Sequence, residues 1–372
     1  MIGDWRLAIG LIKTSWALGA GWCLAALGAC SVAPARSLDT AASEYVRLAR
    51  AGDRSDSAFL EALTAARDGV AALEEHDGRR AFLLAQLAAL ERRARMLGGQ
   101  AMTIREEAAA LGLPVPAYDA ARAAGLREEL DKALPGPGAL ASRLATHRQR
   151  HVVPRARLDQ TAMQLVAECR AHTPPPGEIR DAGIELRYVL GQPWPAFTTY
   201  RGGGLSLVEI RRDVAWNEDD LRAVLCHETY PGHHVQHLVW DQLRETRGWV
   251  EFAVMPAFTP HALMAERAAV AATDLLWPRS DRPVVDRALG ELAPLAAATA
   301  VEIVDGAIDR ATGIARLRDD LLMPNAEEFI AFVEQYRSMT LAYVTPAVGV
   351  HDWQSYFALL RAPGRLVGGA KQ

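Results

Sequence analysis

Residues 225–237 read LCHETYPGHHVQH and hold four histidines and one glutamate within a single short stretch. Imidazole nitrogens and carboxylate oxygens are the ligands that zinc takes in hydrolytic sites, usually three from protein with one position left for water. His227 and Glu228 are adjacent, so one can ligate while the other handles the proton of a bound water. The common H-E-x-x-H arrangement puts its second histidine one helical turn after the first. Here that position is Pro231, followed by Gly232. Proline cannot donate to the carbonyl of His227 and clashes with that turn, so a regular helix cannot run through it. Gly232 tolerates backbone angles that other residues avoid. In an unbroken helix His227 and His234 would share a face but stand roughly 10 Å apart along the axis, too far for one ion. A wide or bulged turn at Pro231-Gly232 would swing a second histidine back toward His227. Two extra residues of spacing select His233 and three select His234. The spacing slightly favours His233, with His234 as a donor to the ligands or a substrate contact. His237, four past His233, competes for the role or is a solvated helix residue.

The elements that must position these groups can be read locally. Asn217 is a good helix N-cap, and Glu218, Asp219 and Asp220 fill the first turn, where carboxylates favour the positive helix end. Counting onward, Leu221, Val224, Leu225 and Glu228 form one stripe, which turns Glu228 into the apolar side. An unpaired buried carboxylate costs several kcal/mol, on the order of a lost ion pair, so such a group is paired, protonated or functional. A third ligand is expected from FTPHALMAERAAVAATD, residues 258–274. Thr259 caps, Pro260 takes the first helical position, and Ala262, Leu263, Glu266, Ala269, Val270 and Thr273 form a stripe with Glu266 on the buried side. His261 is the runner-up, read as a first-turn surface residue, and Glu251 is a weaker competitor.

The rest of the chain is ordinary in bulk. It has 372 residues, half of them apolar and about a quarter charged, with a net charge of −4. No long basic patch is interleaved with aromatics, so nothing calls for nucleic acid. Arg6 and Lys13 precede an uncharged run from Thr14 to Ala29, short for a spanning helix but suited to a signal peptide. The run ends in Leu27-Gly28-Ala29-Cys30, which resembles a bacterial lipobox, with Cys30 the lipidated residue. The expected organisation is a leader over 1–30, a tether over 31–39, an N-terminal helical subdomain over 40–172 and a metal-site subdomain over 173–372 of the same catalytic unit. In the helical part Phe82, Leu83, Leu87, Leu90 and Leu97 recur at helix spacing. Breaks come at Gly98-Gly99, at residues 111–116 and 135–138, and at HTPPPG, 172–177. The best strand is YRGGGLSLVEI, 200–210, with Leu205, Leu207 and Glu209 alternating against Ser206, Val208 and Ile210. Cys169 and Cys226 make no disulfide framework, and Cys226 reads as a small buried residue.

HETYPGHHVQ resembles the H-E-x-x-P-G-H-H signature of the bacterial family called domain of unknown function 885. That family includes many proteins described as lipoproteins and is similar to zinc metallopeptidases of mainly helical build. The resemblance is firm over about 200–275 and thinner on either side. It implies a mainly α, helical zincin-like architecture with a small β element just before the active-site helix. In the family a Glu-Gly-Trp-Ala segment follows and resembles a third-ligand helix. Arg247-Gly248-Trp249-Val250 keeps Gly-Trp but has arginine in the glutamate position, whereas Glu266-Arg267-Ala268-Ala269 keeps the glutamate and final alanine. Arginine cannot ligate a cation, which selects Glu266.

Together these features lead to an expected zinc-dependent hydrolase, acting on a peptide or a small amide, in the cell envelope and held to the membrane by a lipid anchor. Zn2+ would sit on His227, His233 or His234, and Glu266, with Glu228 as general base. Tyr336, Arg337, Tyr343 and His351 are expected among the oxyanion donors, and Arg337 could instead grip a peptide carboxylate. The GGGLSLVEI strand could pair with an extended substrate, as edge strands do. The competing expectation is an envelope lipoprotein without catalysis, its relic metal site used for binding or scaffolding. A hydrolase of non-peptide amides or esters, or a non-haem iron oxygenase, fits less well.

Overall fold

The computed structural model describes residues 37–74, 78–362 and 364. The expected leader, the lipobox with Cys30 and most of the tether lie outside these. The helices begin where capping chemistry allows. Ser37 accepts from the amide of Thr40 and starts α1 (Leu38–Arg50), so the last tether residues already belong to a helix. Then follow α2 (Ser57–Ala71), α3 (Gly78–Leu97), α4 (Ile104–Ala110), α5 (Ala120–Ala133), α6 (Leu140–Arg150) and α7 (Leu158–His172). The Gly and Pro clusters fall between them. On α3 the periodic residues Phe82, Leu83 and Leu87 are fully buried, while Leu97 at its last position is exposed.

The β element precedes the motif and has three strands: β1 (Gly183–Val189), β2 (Ala196–Gly202) and β3 (Leu205–Arg211). Their order is β1-β3-β2, with β1 parallel and β2 antiparallel to β3. Gly204 makes the turn possible: its φ is +85°, and a Cβ there would lie 2.4 Å from the carbonyl oxygen of Arg180. Ser206, Val208 and Ile210 are fully buried on one face, while on the other Leu207 is buried and Leu205 and Glu209 are half-buried. The strand's place in the sheet is not the expected one. β3 is paired on both sides, so its backbone groups are already engaged and it cannot add an extended substrate; β2 is an edge strand.

The second half contains α8 (Glu218–Glu228), α9 (His233–Arg247), α10 (Pro260–Leu276), α11 (Val284–Val304), α12 (Arg310–Ala315), α13 (Ala326–Tyr336) and α14 (Trp353–Leu360). The molecule is thus mainly α with one small sheet. The helix α10 is buried at every residue from His261 to Thr273, not along one stripe. Its alanines let α3, α8, α9 and α14 close in from several sides, the condition under which a helix becomes interior all round. His261 is correspondingly enclosed by Phe82, Trp240 and Phe252, with ring centroids 5.4, 4.5 and 5.4 Å away, instead of lying on the surface.

The apolar interior crosses residue 172. One cluster joins Leu126 and Leu130 to Leu263, Leu292 and Phe329; another joins Tyr45 and Phe82 to Trp240 and Tyr356. A third packs the sheet on α7 and α8 through Leu165, Val208 and Leu225. Cys169 and Cys226 are fully buried as small core residues should be, but they are also bonded to each other as a disulfide, Cα atoms 5.5 Å apart. It ties α7 to α8 one residue before His227, a pairing that two isolated cysteines in a sequence do not disclose. Among the described residues no helix is long and apolar enough to cross a membrane.

Candidate metal centre

Asn217 starts α8 by accepting from the amide of Asp219, and three acidic residues follow in its first turn. Ten residues on, the helix ends at Glu228. The chain leaves the helix over Thr229–Gly232, the break expected at Pro231-Gly232, and restarts as α9 at His233. The Tyr230–Pro231 peptide is cis. The Gly232 amide reaches back to the Cys226 carbonyl at 3.1 Å, and a Cβ on Gly232 would lie 1.7 Å from the His227 carbonyl oxygen. Only glycine permits so close a return. Tyr356 on α14 clamps the turn by donating its hydroxyl to the Pro231 carbonyl at 2.5 Å.

The fold brings together His227, His233 and Glu266. One ligand atom from each lies within 4.8 Å of the others. Glu266 Oε2 is 3.0 Å from His227 Nε2 and 3.3 Å from His233 Nε2. Donors about 2.0–2.1 Å from a tetrahedral zinc stand roughly 3.3 Å apart, so these separations fit a shared ion. Two imidazoles and one carboxylate are also a common catalytic donor set for zinc. Burial opposes charge on both partners, yet their mutual attraction prevails. The Glu266 carboxylate, helped by its hydrogen bonds from both imidazoles, is held down to about 2. The neighbouring Glu266 carboxylate, with Glu228 adding to it, lifts His233 to about 9.

His234 takes no part in this cluster. It is fully buried, with Nδ1 2.8 Å from Ser206 Oγ on β3 and Nε2 3.2 Å from Asp181 Oδ1. Both ring nitrogens are engaged, and the cluster of possible ligand atoms contains His233 in place of His234. Asp181 also accepts from Tyr230 at 2.8 Å. Burial raises its carboxyl, but the bonds from His234 and Tyr230 outweigh that and hold it at about 2. His237 is half-buried and stacks on Tyr200, centroids 5.2 Å apart. Glu251 is fully buried but pairs with Arg79, Nε to Oε1 2.5 Å, and His261 sits in its aromatic cage.

Glu228 is only 1% exposed. The Thr198 hydroxyl, from β2, lies 2.7 Å from its Oε2 and 2.8 Å from its backbone carbonyl. Its Oε1 is buried with no hydrogen-bond partner among the described residues, which leaves that oxygen able to accept from a group held at the neighbouring side chains. Tyr343 ends the 3-10 turn Arg337–Tyr343. Its ring centroid is 6.1 Å from that of His227. Burial, then the charges of Glu266 and Glu228 and a bond to Glu266, push its hydroxyl well above the usual range, so it stays a neutral donor. Tyr343 also lines a cavity of about 180 Å³ whose walls include Ala223, Thr273, Trp277 and Pro294. Ala223 precedes His227 by one turn and Thr273 follows Glu266 by two, so this cavity continues the faces that carry the ligands.

The other expected donors are elsewhere. Tyr336 is half-buried against Phe332, centroids 4.5 Å apart, near Tyr343 but not at the ligands. Arg337 has its Nε on Glu107 at 3.0 Å and another donor on the Met102 carbonyl, which leaves it tying α13 to α4. His351 is on the surface beside Asp352. Sequence reasoning missed Thr198, which carries no local signal, and Gln236, which does: it lies three residues after His233 on one helix face.

No family model matches this chain, and no curated protein does. Solved structures do resemble it in fold. One, described as the "putative lipoprotein from Colwellia psychrerythraea", aligns over 89% of this chain and 68% of its own, with 13% identity and a TM-score of 0.50. Another, a "putative lipoprotein of unknown function from Shewanella oneidensis", aligns over 89% and 72%, with 13% identity and a TM-score of 0.47.

Proposed function

We propose that this protein is a zinc-dependent hydrolase that cleaves peptide or small amide bonds in the cell envelope. The observation that carries the reading is the convergence of His227, His233 and Glu266 beside a buried Glu228 whose Oε1 has no protein partner. Two imidazoles and a carboxylate would hold the ion, which when bound acidifies a water and polarises a carbonyl. Glu228 Oε1 accepts the proton as the water oxygen attacks the carbonyl carbon. The same carboxyl returns that proton to the nitrogen as the C–N bond breaks. The Thr198 hydroxyl on Oε2 keeps Oε1 the free oxygen. Tyr343, neutral and a donor, stabilises the oxygen on which negative charge develops. The cavity beyond Tyr343 is where one side of the substrate would lie. The resemblance of HETYPGHHVQ to the signature of the domain of unknown function 885 supports the same chemistry, and a zincin-like architecture belongs to this reading.

Export and a lipid anchor on Cys30 belong to this reading. The leader pattern supports them, as does the Cys169–Cys226 disulfide, since such bonds persist in oxidising compartments. The description of the Colwellia protein as a lipoprotein points the same way. The test is metal content and hydrolysis of a mixed peptide library by the full chain and three variants. One zinc per chain, lost in His227→Ala and Glu266→Ala, is expected. Glu228→Gln should keep the zinc and lose at least the ~10²-fold that a general base supplies. A parent that takes up no offered zinc, or a Glu228→Gln variant as active as the parent, defeats the reading.

A further inference from the structure

The fully buried Gln236 joins α9 to α10. Its Oε1 is 3.0 Å from His233 Nδ1, one turn away on α9. Its Nε2 donates to the carbonyl of Ala265, the residue before Glu266 on α10, at 2.8 Å. A backbone carbonyl can only accept, so Ala265 fixes which end of the amide is nitrogen. The oxygen is left for His233.

A carboxamide oxygen has no proton to give. Nδ1 of His233 must then keep a hydrogen, so when zinc displaces the proton on Nε2 it is the Nε2 lone pair that faces the position shared with Glu266. We infer that Gln236 is a positioning residue of the metal centre: it sets the tautomer and ring plane of His233 and fixes the spacing between His233 and Glu266. One amide bridges a ligand on α9 to the backbone beside a ligand on α10, so the two helices cannot slide without breaking it. This inference rests on the zinc reading above, in which His233 is a ligand through Nε2.

The test compares the full chain with Gln236→Ala and Gln236→Glu, using zinc affinity by competition with a chromophoric chelator and 15N-edited NMR of the zinc-loaded histidines. The parent is expected to show a slowly exchanging Nδ1 proton on His233. Gln236→Ala should lose that signal and bind zinc roughly 10–100-fold more weakly, the usual consequence of removing a partner from a ligand histidine. Gln236→Glu restores an acceptor for Nδ1–H and should recover the proton signal, although its second oxygen opposes the Ala265 carbonyl. A Gln236→Ala variant with the parent's zinc affinity and Nδ1 signal overturns the inference while leaving the zinc reading intact. A parent that binds no zinc overturns the zinc reading instead. Equal loss of affinity and of proton signal in both variants assigns Gln236 a packing role alone and also overturns the inference.

Discussion

Replacing Gly232 with alanine is the most direct test of how the broken helix makes the site. A Cβ at this position would lie 1.7 Å from the His227 carbonyl oxygen, 2.4 Å from its carbon and 2.9 Å from its Cα. Real Cβ contacts stay beyond 3.0 Å, so the chain must open by at least the difference from 1.7 Å, which is 1.3 Å. The obstacle is backbone on both sides, which no rotamer change relieves. His233 is the next residue, and its Nε2 must stay in register with His227 and Glu266. Ligand distances in metal sites hold to about 0.2 Å, several times less than this forced displacement. The helices have other anchors: the Cys169–Cys226 disulfide on α8, and His234 between Ser206 and Asp181 on α9. Gly232→Ala should therefore remain folded, with near-parental helicity by circular dichroism and a lowered Tm. Its zinc affinity should fall by more than the roughly 10–100-fold that follows loss of a supporting partner. Gly125→Ala, in α5 where a Cβ meets nothing within 4 Å, is the control and should be neutral or slightly stabilising. Equilibrium dialysis with metal analysis reads the outcome. Parental zinc affinity in Gly232→Ala would refute the claim that the tight return at this residue places His233.

Two further predictions follow from the environment of single groups. Burial pushes the His261 imidazole down to about 3 from its ordinary 6.5. Its folded value lies below the unfolded one, so the stability linked to its neutral form is complete above pH 6.5 and is lost as pH falls toward 3. That loss amounts to about 1.4 kcal/mol per pH unit, or about 2 kcal/mol at pH 5. Urea unfolding at pH 7 and pH 5 should show His261→Leu closing on the parent by about that amount; an unchanged gap would contradict the buried neutral histidine. Assayed at saturating zinc, because the change also removes a bond to Glu266, Tyr343→Phe should lower kcat by about 10²–10³-fold, the range for one lost oxyanion donor. A rise in KM with kcat unchanged would instead assign Tyr343 to ground-state binding.

Local spacing made several features legible in the sequence alone. Asn217 and Thr259 cap helices because their side chains reach amides two or three residues away, and the carboxylate of Glu228 falls on the inward face of α8 by the 3.6-residue period. The break at Pro231-Gly232 follows from proline's missing donor. These are interactions within a turn or two, which residue order specifies. The choice among competing residues was decided at long range. His234 is excluded because Ser206 and Asp181, 28 and 53 positions earlier, occupy both its nitrogens. Glu251 is excluded by Arg79, 172 positions away, and Arg337 by Glu107 at a separation of 230. The same holds for β3, whose free edge vanished when β1 arrived beside it, and for His261, which the cage of Phe82, Trp240 and Phe252 encloses. A side chain's own position in sequence shows which face it presents, but whether it ligates, pairs or packs depends on which distant group the fold puts opposite it.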